Sequence, residues 1–187
     1  MTTITATDET PRVWIGCLHC YNSGDLVGEW FPALGADELT LSDVHKGSGR
    51  RWSACEEVWV FDHEFIPVRG EFGLLEAAEW GRVFQEVGAE QWPAVCAWVE
   101  SGCHVTEGTG DNIPSLSGFE ERYQGHWNSF DEFADHWAEE TDLMDRWSDL
   151  ARRYFDWAAW RRDLKFDFTV MSAPETEGYG VYVFSNL

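Results

Sequence analysis

Residues 129–142, SFDEFADHWAEETD, carry the pattern that decides the fold of the last third of the chain. Their apolar members recur at the spacing of a single helix face; they are Phe130, Phe133, Ala134, Trp137 and Ala138. Ser129, followed three residues later by Glu132, has the spacing of a capping box and predicts where the helix begins. The carboxylates fall on the remaining arc. The segment therefore predicts a helix with one buried face and one continuously anionic face.

The first third of the chain predicts a small α+β unit. Residues 12–18, 26–31 and 57–61 are β-rich runs with the composition of strands. Residues 37–44 can form a short helix. Residues 46–51, KGSGRR, predict a flexible basic loop.

The middle of the chain predicts two helices and a linker. Residues 71–87 repeat apolar side chains at helical spacing, and Gly88 is the residue type that closes a helix. A second helix is predicted over residues 91–100, because Pro93 is tolerated in a first turn. Residues 104–114 are rich in Gly and Thr and predict a linker.

Downstream of the linker, the pattern predicts a turn, the acidic helix, a mixed helical stretch and a hairpin. The turn is expected at Gly125 and the mixed helical stretch over residues 145–164. Two β-rich runs, residues 166–171 and 179–184, flank a polar segment and predict a two-stranded hairpin. Helices and strands together predict the α+β class.

Charge is the most unusual property of the composition. The 187 residues include 34 Asp+Glu and 13 Lys+Arg, for a formal net charge of −21. Direct binding to nucleic acid is disfavoured because phosphate contacts need Lys and Arg, whereas a cationic partner would relieve the self-repulsion. Duplex DNA carries about one charge per 1.7 Å, so 21 charges match roughly 36 Å, about one helical turn. The charge is thus in the range expected of a DNA substitute.

The charge is also unevenly placed. Between Val83 and Asp145 the only Lys or Arg is Arg122, while carboxylates recur throughout. Such a run is commonly just a solvated face. Dense carboxylates without cations one helical turn away cost helix stability, however, and a cationic partner would explain them.

The five cysteines, Cys17, Cys20, Cys55, Cys96 and Cys103, predict reduced thiols. Their odd number and the lack of a signal-peptide pattern at the start indicate a cytoplasmic protein, and no run approaches a membrane span. Cys17 and Cys20 have CxxC spacing, and Cys103 with His104 offers further ligands. Strand alternation would send Cys17 and Cys20 to opposite faces unless the chain turns. Buried thiols are therefore predicted, with no metal and no cofactor.

Several segments resemble the ArdA family of antirestriction proteins, DNA mimics carried by plasmids, conjugative transposons and phages. The similar blocks follow the family's order and are RVWIG (12–16), YNSGDLVGEW (21–30), FDHEFIP (61–67), YQGHWNSFDEFA (123–134), YFDWAAWRRDL (154–164) and VYVF (181–184). The chain departs from the family's pattern in residues 36–55. There, an acidic stretch is replaced by the basic loop with Lys46, Arg50 and Arg51.

The resemblance implies an elongated chain of three small domains and no catalytic activity. The expected domains are an α+β domain at 1–66, a helical domain at 67–104 and an α+β domain at 105–187. The last of these would carry the acidic helix and join two copies into a curved homodimer. The expected partner is the methyltransferase core of a type I restriction–modification enzyme, whose DNA-binding groove the mimic would occupy.

Together, the resemblance and the charge placement predict a set of phosphate-mimicking, partner-binding carboxylates. They are Glu71, Glu76, Glu79, Glu86, Glu90, Glu100, Glu107, Asp111, Glu120, Glu121, Asp131, Glu132, Asp135, Glu139, Glu140, Asp142 and Asp145.

The sequence is also compatible with two other hypotheses of function. A carbohydrate-active hydrolase would use a carboxylate pair with Trp platforms, and Glu64, Glu71, Glu120 and Asp131 are its candidate carboxylates. An acidic mimic could also be directed at a nucleoid protein or a nuclease. Four arginines fit either local ion pairs or the dimer contact, and they are Arg152, Arg153, Arg161 and Arg162.

Overall fold

A computed structural model describes residues 10–49, 53–110, 112–174 and 178–186. Over these residues the chain combines helices with two antiparallel three-stranded sheets, which confirms the α+β class. The chain divides into two compact units. Unit 1 comprises residues 1–92 and 106–115, and unit 2 comprises residues 93–105 and 116–187. The three-domain division stays a prediction.

Unit 1 is built on a sheet with the strand order β2–β1–β3. The central strand β1 (Arg12–Cys17) pairs antiparallel with β2 (Gly28–Pro32) and β3 (Val58–Glu64). Val13 and Ile15 on β1 are fully buried. The three predicted strands are confirmed, although β3 runs three residues past its expected end.

Short helices connect these strands. The helix α1 (Leu18–Asn22) follows β1 without a gap. The single helix predicted over residues 37–44 is instead a 3₁₀ turn (Ala36–Glu38) and a separate helix α2 (Leu41–Val44). The physical reason is Thr40, which is extended and whose amide and hydroxyl donate to Asp43 Oδ2 at 2.9 and 2.6 Å. A residue that caps a new helix interrupts the old one.

The helical middle region is α3 (Leu74–Glu100), which is interrupted at Gly88. Gly88 has φ 76° and ψ 166°, a conformation that favours glycine, so the two predicted helices are confirmed with their break at this residue. In unit 1, the buried rings of Trp80 and Trp92 meet edge to face at 6.2 Å. The indole of Trp92 donates to the carbonyl of Phe65 at 3.1 Å. After α3, the described residues of the predicted linker, 104–110 and 112–114, form neither helix nor strand apart from a bridge between Thr106 and Pro114.

Unit 2 continues after this linker with five more elements before its closing hairpin. They are α4 (Leu116–Arg122), β4 (Tyr123–Trp127), α5 (Phe130–Glu140), α6 (Asp149–Tyr154) and α7 (Trp157–Leu164). After a 3₁₀ turn (Lys165–Asp167), β5 (Phe168–Ser172) and β6 (Val181–Ser185) form the predicted antiparallel hairpin. The sheet order is β4–β6–β5.

The turn predicted at Gly125 is wrong, because this residue lies within β4. Its φ is 104°, and the pairing of β4 with β6 shifts register between Tyr123 and His126. A glycine at such a shift is typical of a β-bulge, which keeps the strand paired across an irregular residue. The mixed helical stretch also divides, because Asp156 caps α7 by accepting a hydrogen bond from the amide of Ala159 at 2.9 Å.

One buried cluster of unit 2 forms where α5 packs against the sheet. Its buried members are Phe130, Phe133, Ala134, Phe168 and Val183. Over the described residues, no helix is both long and apolar enough to cross a membrane.

Candidate partner-binding surface

The helix α5 begins where its sequence predicts. The hydroxyl of Ser129 accepts a hydrogen bond from the amide of Glu132 at 3.2 Å. The carboxylate of Glu132 accepts from the amide and side chain of Asn128, at 3.0 and 2.7 Å. In the predicted capping box the carboxylate of Glu132 would accept from the amide of Ser129. It accepts from Asn128 instead, one residue upstream, and this contact fixes the orientation of the carboxylate.

One face of α5 is buried and the other is acidic, as predicted. Phe133, Ala134 and Ala138 are at most 2% exposed. All five carboxylates of the helix are exposed, and they are Asp131, Glu132, Asp135, Glu139 and Glu140. At 1.5 Å per residue α5 is about 16 Å long, so it carries one carboxylate per roughly 3.3 Å. This spacing resembles that of phosphates along one DNA strand, about 3.4 Å.

The acidic residues occupy both ends of α5. Asp131 and Glu132 lie in the first turn, where the helix dipole favours negative charge. Glu139 and Glu140 lie in the last turn, where the dipole disfavours it, and that turn contains no Lys or Arg. The placement of these last two carboxylates therefore costs helix stability, and folding alone does not explain it.

Few of the predicted carboxylates in unit 2 are neutralised. Basic side chains lie within 4.0 Å of four of them, in the pairs Asp135–Arg161, Glu121–Arg122, Asp145–Arg146 and Glu140–His136. Such exposed pairs are weak. Within the described residues no salt bridge engages the others, which are Glu100, Glu120, Asp131, Glu132, Glu139 and Asp142. Most of the negative charge of unit 2 thus faces solvent.

The predicted carboxylates of unit 1 differ in exposure. Four of them are exposed, and they are Glu71, Glu86, Glu90 and Glu107. Glu76 and Glu79 are half-buried. Glu79 accepts hydrogen bonds from the amide and hydroxyl of Thr109, at 3.1 and 2.8 Å, so it holds the 106–115 segment in place. Asp111 lies outside the described residues.

The candidate hydrolase carboxylates lie on the surface. Glu64 pairs with Arg12 at 2.9 Å, and both side chains are exposed. Glu71, Glu120 and Asp131 are also exposed. A surface depression of about 630 Å³ is lined by aromatic and polar residues but by no carboxylate; they are Arg146, Trp147, Ser148, Ala151, Tyr154 and Phe155. Glycoside hydrolysis needs two carboxylates around one sugar, and none lines this depression.

Unit 1 also contains a cluster that was not predicted. The side chains of Cys17, Cys20, His45 and Cys55 converge, with their ligand atoms within 4.8 Å of one another. Strand alternation was expected to separate Cys17 and Cys20 unless the chain turns, and the chain does turn, because β1 ends at Cys17 and α1 begins at the next residue. The CxxC spacing was the only sequence signal for this cluster.

Hydrogen bonds and burial shift the thiol pKa values within this cluster. Burial raises the pKa of Cys17, but hydrogen bonds that its sulfur accepts from the backbone of Cys20 and His19 and from the thiols of Cys55 and Cys20 outweigh burial, so that its pKa is lowered. Burial, followed by the contact with Cys17, raises the pKa of Cys20. The same two causes raise the pKa of Cys55 to about 12.

Comparison with known proteins yields one family. The family model described as antirestriction protein (ArdA) matches residues 13–179. No curated protein matches the chain at a significant level. The family match spans nearly all the residues of both compact units.

Proposed function

The chain belongs to the ArdA family of antirestriction proteins, and we propose that it acts as an acidic DNA mimic. Its target is a type I restriction–modification enzyme, whose methyltransferase core binds DNA in a basic groove. The protein occupies that groove and excludes DNA. It thereby inhibits restriction and, where binding is tight enough, modification.

The observation that carries this proposal is the exposed acidic face of α5. Its carboxylates are fixed by a helix whose opposite face, including Phe133 and Ala134, is buried in the core of unit 2. Charges on a rigid helix present a constant pattern, as phosphates on a duplex do. A complementary basic groove would attract such a surface and accelerate the encounter.

The mechanism requires no chemical step. The carboxylates act through their charge, and inhibition lasts for as long as the complex does. Screening by salt weakens attraction between exposed charges, since the Debye length falls from about 10 Å at 0.1 M to about 3 Å at 1 M. The inhibitor works where its target enzyme works, which is the cytoplasm.

Unit 2 is the proposed site of homodimerisation. Four of its large apolar side chains are between 68% and 87% exposed, and they are Leu150, Tyr154, Phe166 and Tyr179. Exposed apolar side chains of this size favour association, since burial removes them from water. The mass of the protein in solution, measured by light scattering, tests this part of the proposal.

The proposed function is tested by competition. Labelled duplex DNA is bound to a purified type I methyltransferase, and the full-length protein is titrated in at low and at high salt. Displacement at stoichiometric amounts that weakens with salt is the expected result. Absence of displacement at every salt concentration would refute the proposal for that enzyme.

A parallel assay separates this target from other DNA-binding proteins. A nucleoid protein and an unrelated nuclease are tested with the same duplex. Displacement of the methyltransferase at concentrations that leave both others bound is expected. Equal displacement of all three would contradict a groove-specific mimic and indicate only general electrostatic competition.

A further inference from the structure

Four metal-ligating side chains meet in unit 1, although they are far apart in the sequence. Cys17 ends β1 and Cys20 lies in α1, while His45 follows α2 directly and Cys55 precedes β3. Three of the four are buried, and Cys55 is half-buried. Their ligand atoms all lie within 4.8 Å of one another. Three sulfurs and one imidazole nitrogen form a donor set typical of structural zinc sites.

Two distances between ligand atoms in the cluster are near those of a tetrahedral zinc site. With Zn–S bonds of about 2.3 Å, two sulfurs on a tetrahedron lie roughly 3.8 Å apart. The sulfurs of Cys20 and Cys55 are 3.7 Å apart. The sulfur of Cys20 and Nε2 of His45 are 4.0 Å apart, against about 3.6 Å in a tetrahedral site. The remaining pairs of ligand atoms lie within 4.8 Å of each other.

The turn that follows Cys17 brings the next cysteine back beside it. Strand β1 ends at Cys17 and α1 begins at Leu18, so Cys20 lies in the first turn of that helix. Both cysteines of the CxxC spacing therefore meet at one point, where His45 and Cys55 join them.

A disulfide explains these four residues less well than a metal does. The Cys20–Cys55 sulfur separation of 3.7 Å far exceeds the bonded distance of about 2.0 Å. One disulfide would also leave a thiol and the buried imidazole of His45 without a role. From these distances and this donor set, we propose that Cys17, Cys20, His45 and Cys55 bind a structural zinc ion.

This zinc ion has a structural task in unit 1. It joins the end of β1, α1, the end of α2 and the approach to β3. The last two ligands, His45 and Cys55, flank a basic segment of the chain. Three thiolates and one Zn²⁺ leave one negative charge, and the residues between His45 and Cys55 include Lys46, Arg50 and Arg51. The basic composition of this segment suits a negatively charged metal centre.

The test measures metal content and stability together. The full-length chain is purified under reducing conditions, stripped with a chelator, reloaded with zinc and assayed by mass spectrometry for bound metals. We expect about one zinc ion per chain. Cys20→Ser and His45→Ala should each lower zinc affinity by at least the 10- to 100-fold typical of outer-shell changes. The matched control is Cys103→Ser, which removes an exposed thiol outside the cluster and should keep wild-type affinity.

A second measurement covers variants that fail to fold. The stripped wild-type protein is reloaded with cobalt(II), whose visible absorption reports tetrahedral thiolate coordination. These bands are expected to appear, and zinc should displace them. Chelation should lower the melting temperature of the wild-type protein and of Cys103→Ser alike.

Three results would overturn the proposal. They are reloaded wild-type protein without zinc, stoichiometric copper or iron in place of zinc in the protein before it is stripped, and a Cys20–Cys55 disulfide in protein kept under reducing conditions. None of these bears on inhibition of restriction, which is assayed separately by displacement of DNA.

Discussion

Removing three negative charges from the acidic surface of unit 2 tests the proposed function at residue level. The variant combines Asp131→Asn, Glu139→Gln and Asp142→Asn, all at exposed carboxylates without a salt bridge to any described residue. The fold should tolerate it. Asp131→Asn removes a favourable interaction with the helix dipole, and Glu139→Gln removes an unfavourable one, so their effects on helix stability offset each other. Asn also accepts the positive φ of Asp142, which is 49°.

The expected loss of affinity follows from the exposure of these groups. An exposed ion pair contributes about 0.2–1 kcal/mol. Three such contacts contribute about 0.6–3 kcal/mol, which weakens binding roughly 3- to 150-fold at low salt. The dissociation constant is measured by displacement of labelled duplex from the methyltransferase, at 0.1 M and at 1 M salt. At 1 M salt the dissociation constants of the variant and the wild-type protein should be nearly equal, since the Debye length is only about 3 Å.

A control variant with the same net charge separates local contacts from total charge. It combines Glu29→Gln, Glu38→Gln and Glu57→Gln, three exposed carboxylates of unit 1 outside the predicted surface. Its affinity should stay close to wild type. If both triple variants lose affinity equally, total charge governs binding and the reasoning from α5 is refuted. Unchanged affinity of the Asp131, Glu139 and Asp142 triple variant at low salt would refute it as well.

Three further predictions concern the fold that supports this surface. A Cβ on Gly81 would lie 2.2 Å from the backbone nitrogen of Leu34, so Gly81→Ala should cost at least about 1–3 kcal/mol in urea unfolding. Gly73→Ala, with its nearest contact at 3.7 Å, should cost little, and equal effects would contradict this packing argument. Phe133→Ala should lower the unfolding free energy by about 3–5 kcal/mol, measured by tryptophan fluorescence, and a loss below about 1 kcal/mol would show that α5 is not anchored by this ring. Hydrogen bonds in its capping box lower the pKa of Asp43 below 3.8. Its stabilising contribution is therefore complete above the unfolded pKa and is lost as pH falls through the folded one. Asp43→Asn should shift the urea midpoint at pH 7 but not at acid pH below that folded pKa, and a shift that persists there would contradict the assignment.

The sequence was sufficient to predict α5 because its signals are local. Helical spacing and a capping residue act within four residues of each other, and the structure confirms both the start of the helix and its buried face. Strand β4 was missed because Gly125 is a turn residue by type. Its actual conformation depends on pairing with β6, more than 50 residues away.

The same distinction separates the predicted surface from the unpredicted cluster. The α5 carboxylates are exposed because they lie on the side of the helix opposite its apolar face. The engagement of Glu79 by Thr109, 30 residues away, does not follow from any local pattern. Cys17 and Cys20 were noticed together because they are neighbours. His45 and Cys55 join them only through the folded arrangement, at separations of 25 and 35 residues from Cys20.

The division of α5 into a buried face and a charged face also bears on how such a protein can change over generations. The position of every carboxylate is set by Phe133, Ala134 and Ala138, none of which reaches the exposed surface. Exchanges between Asp, Glu and neutral polar residues on the outer arc therefore leave the helix in place. Under the function proposed above, the outer residues can change to suit a different partner while the helix stays folded.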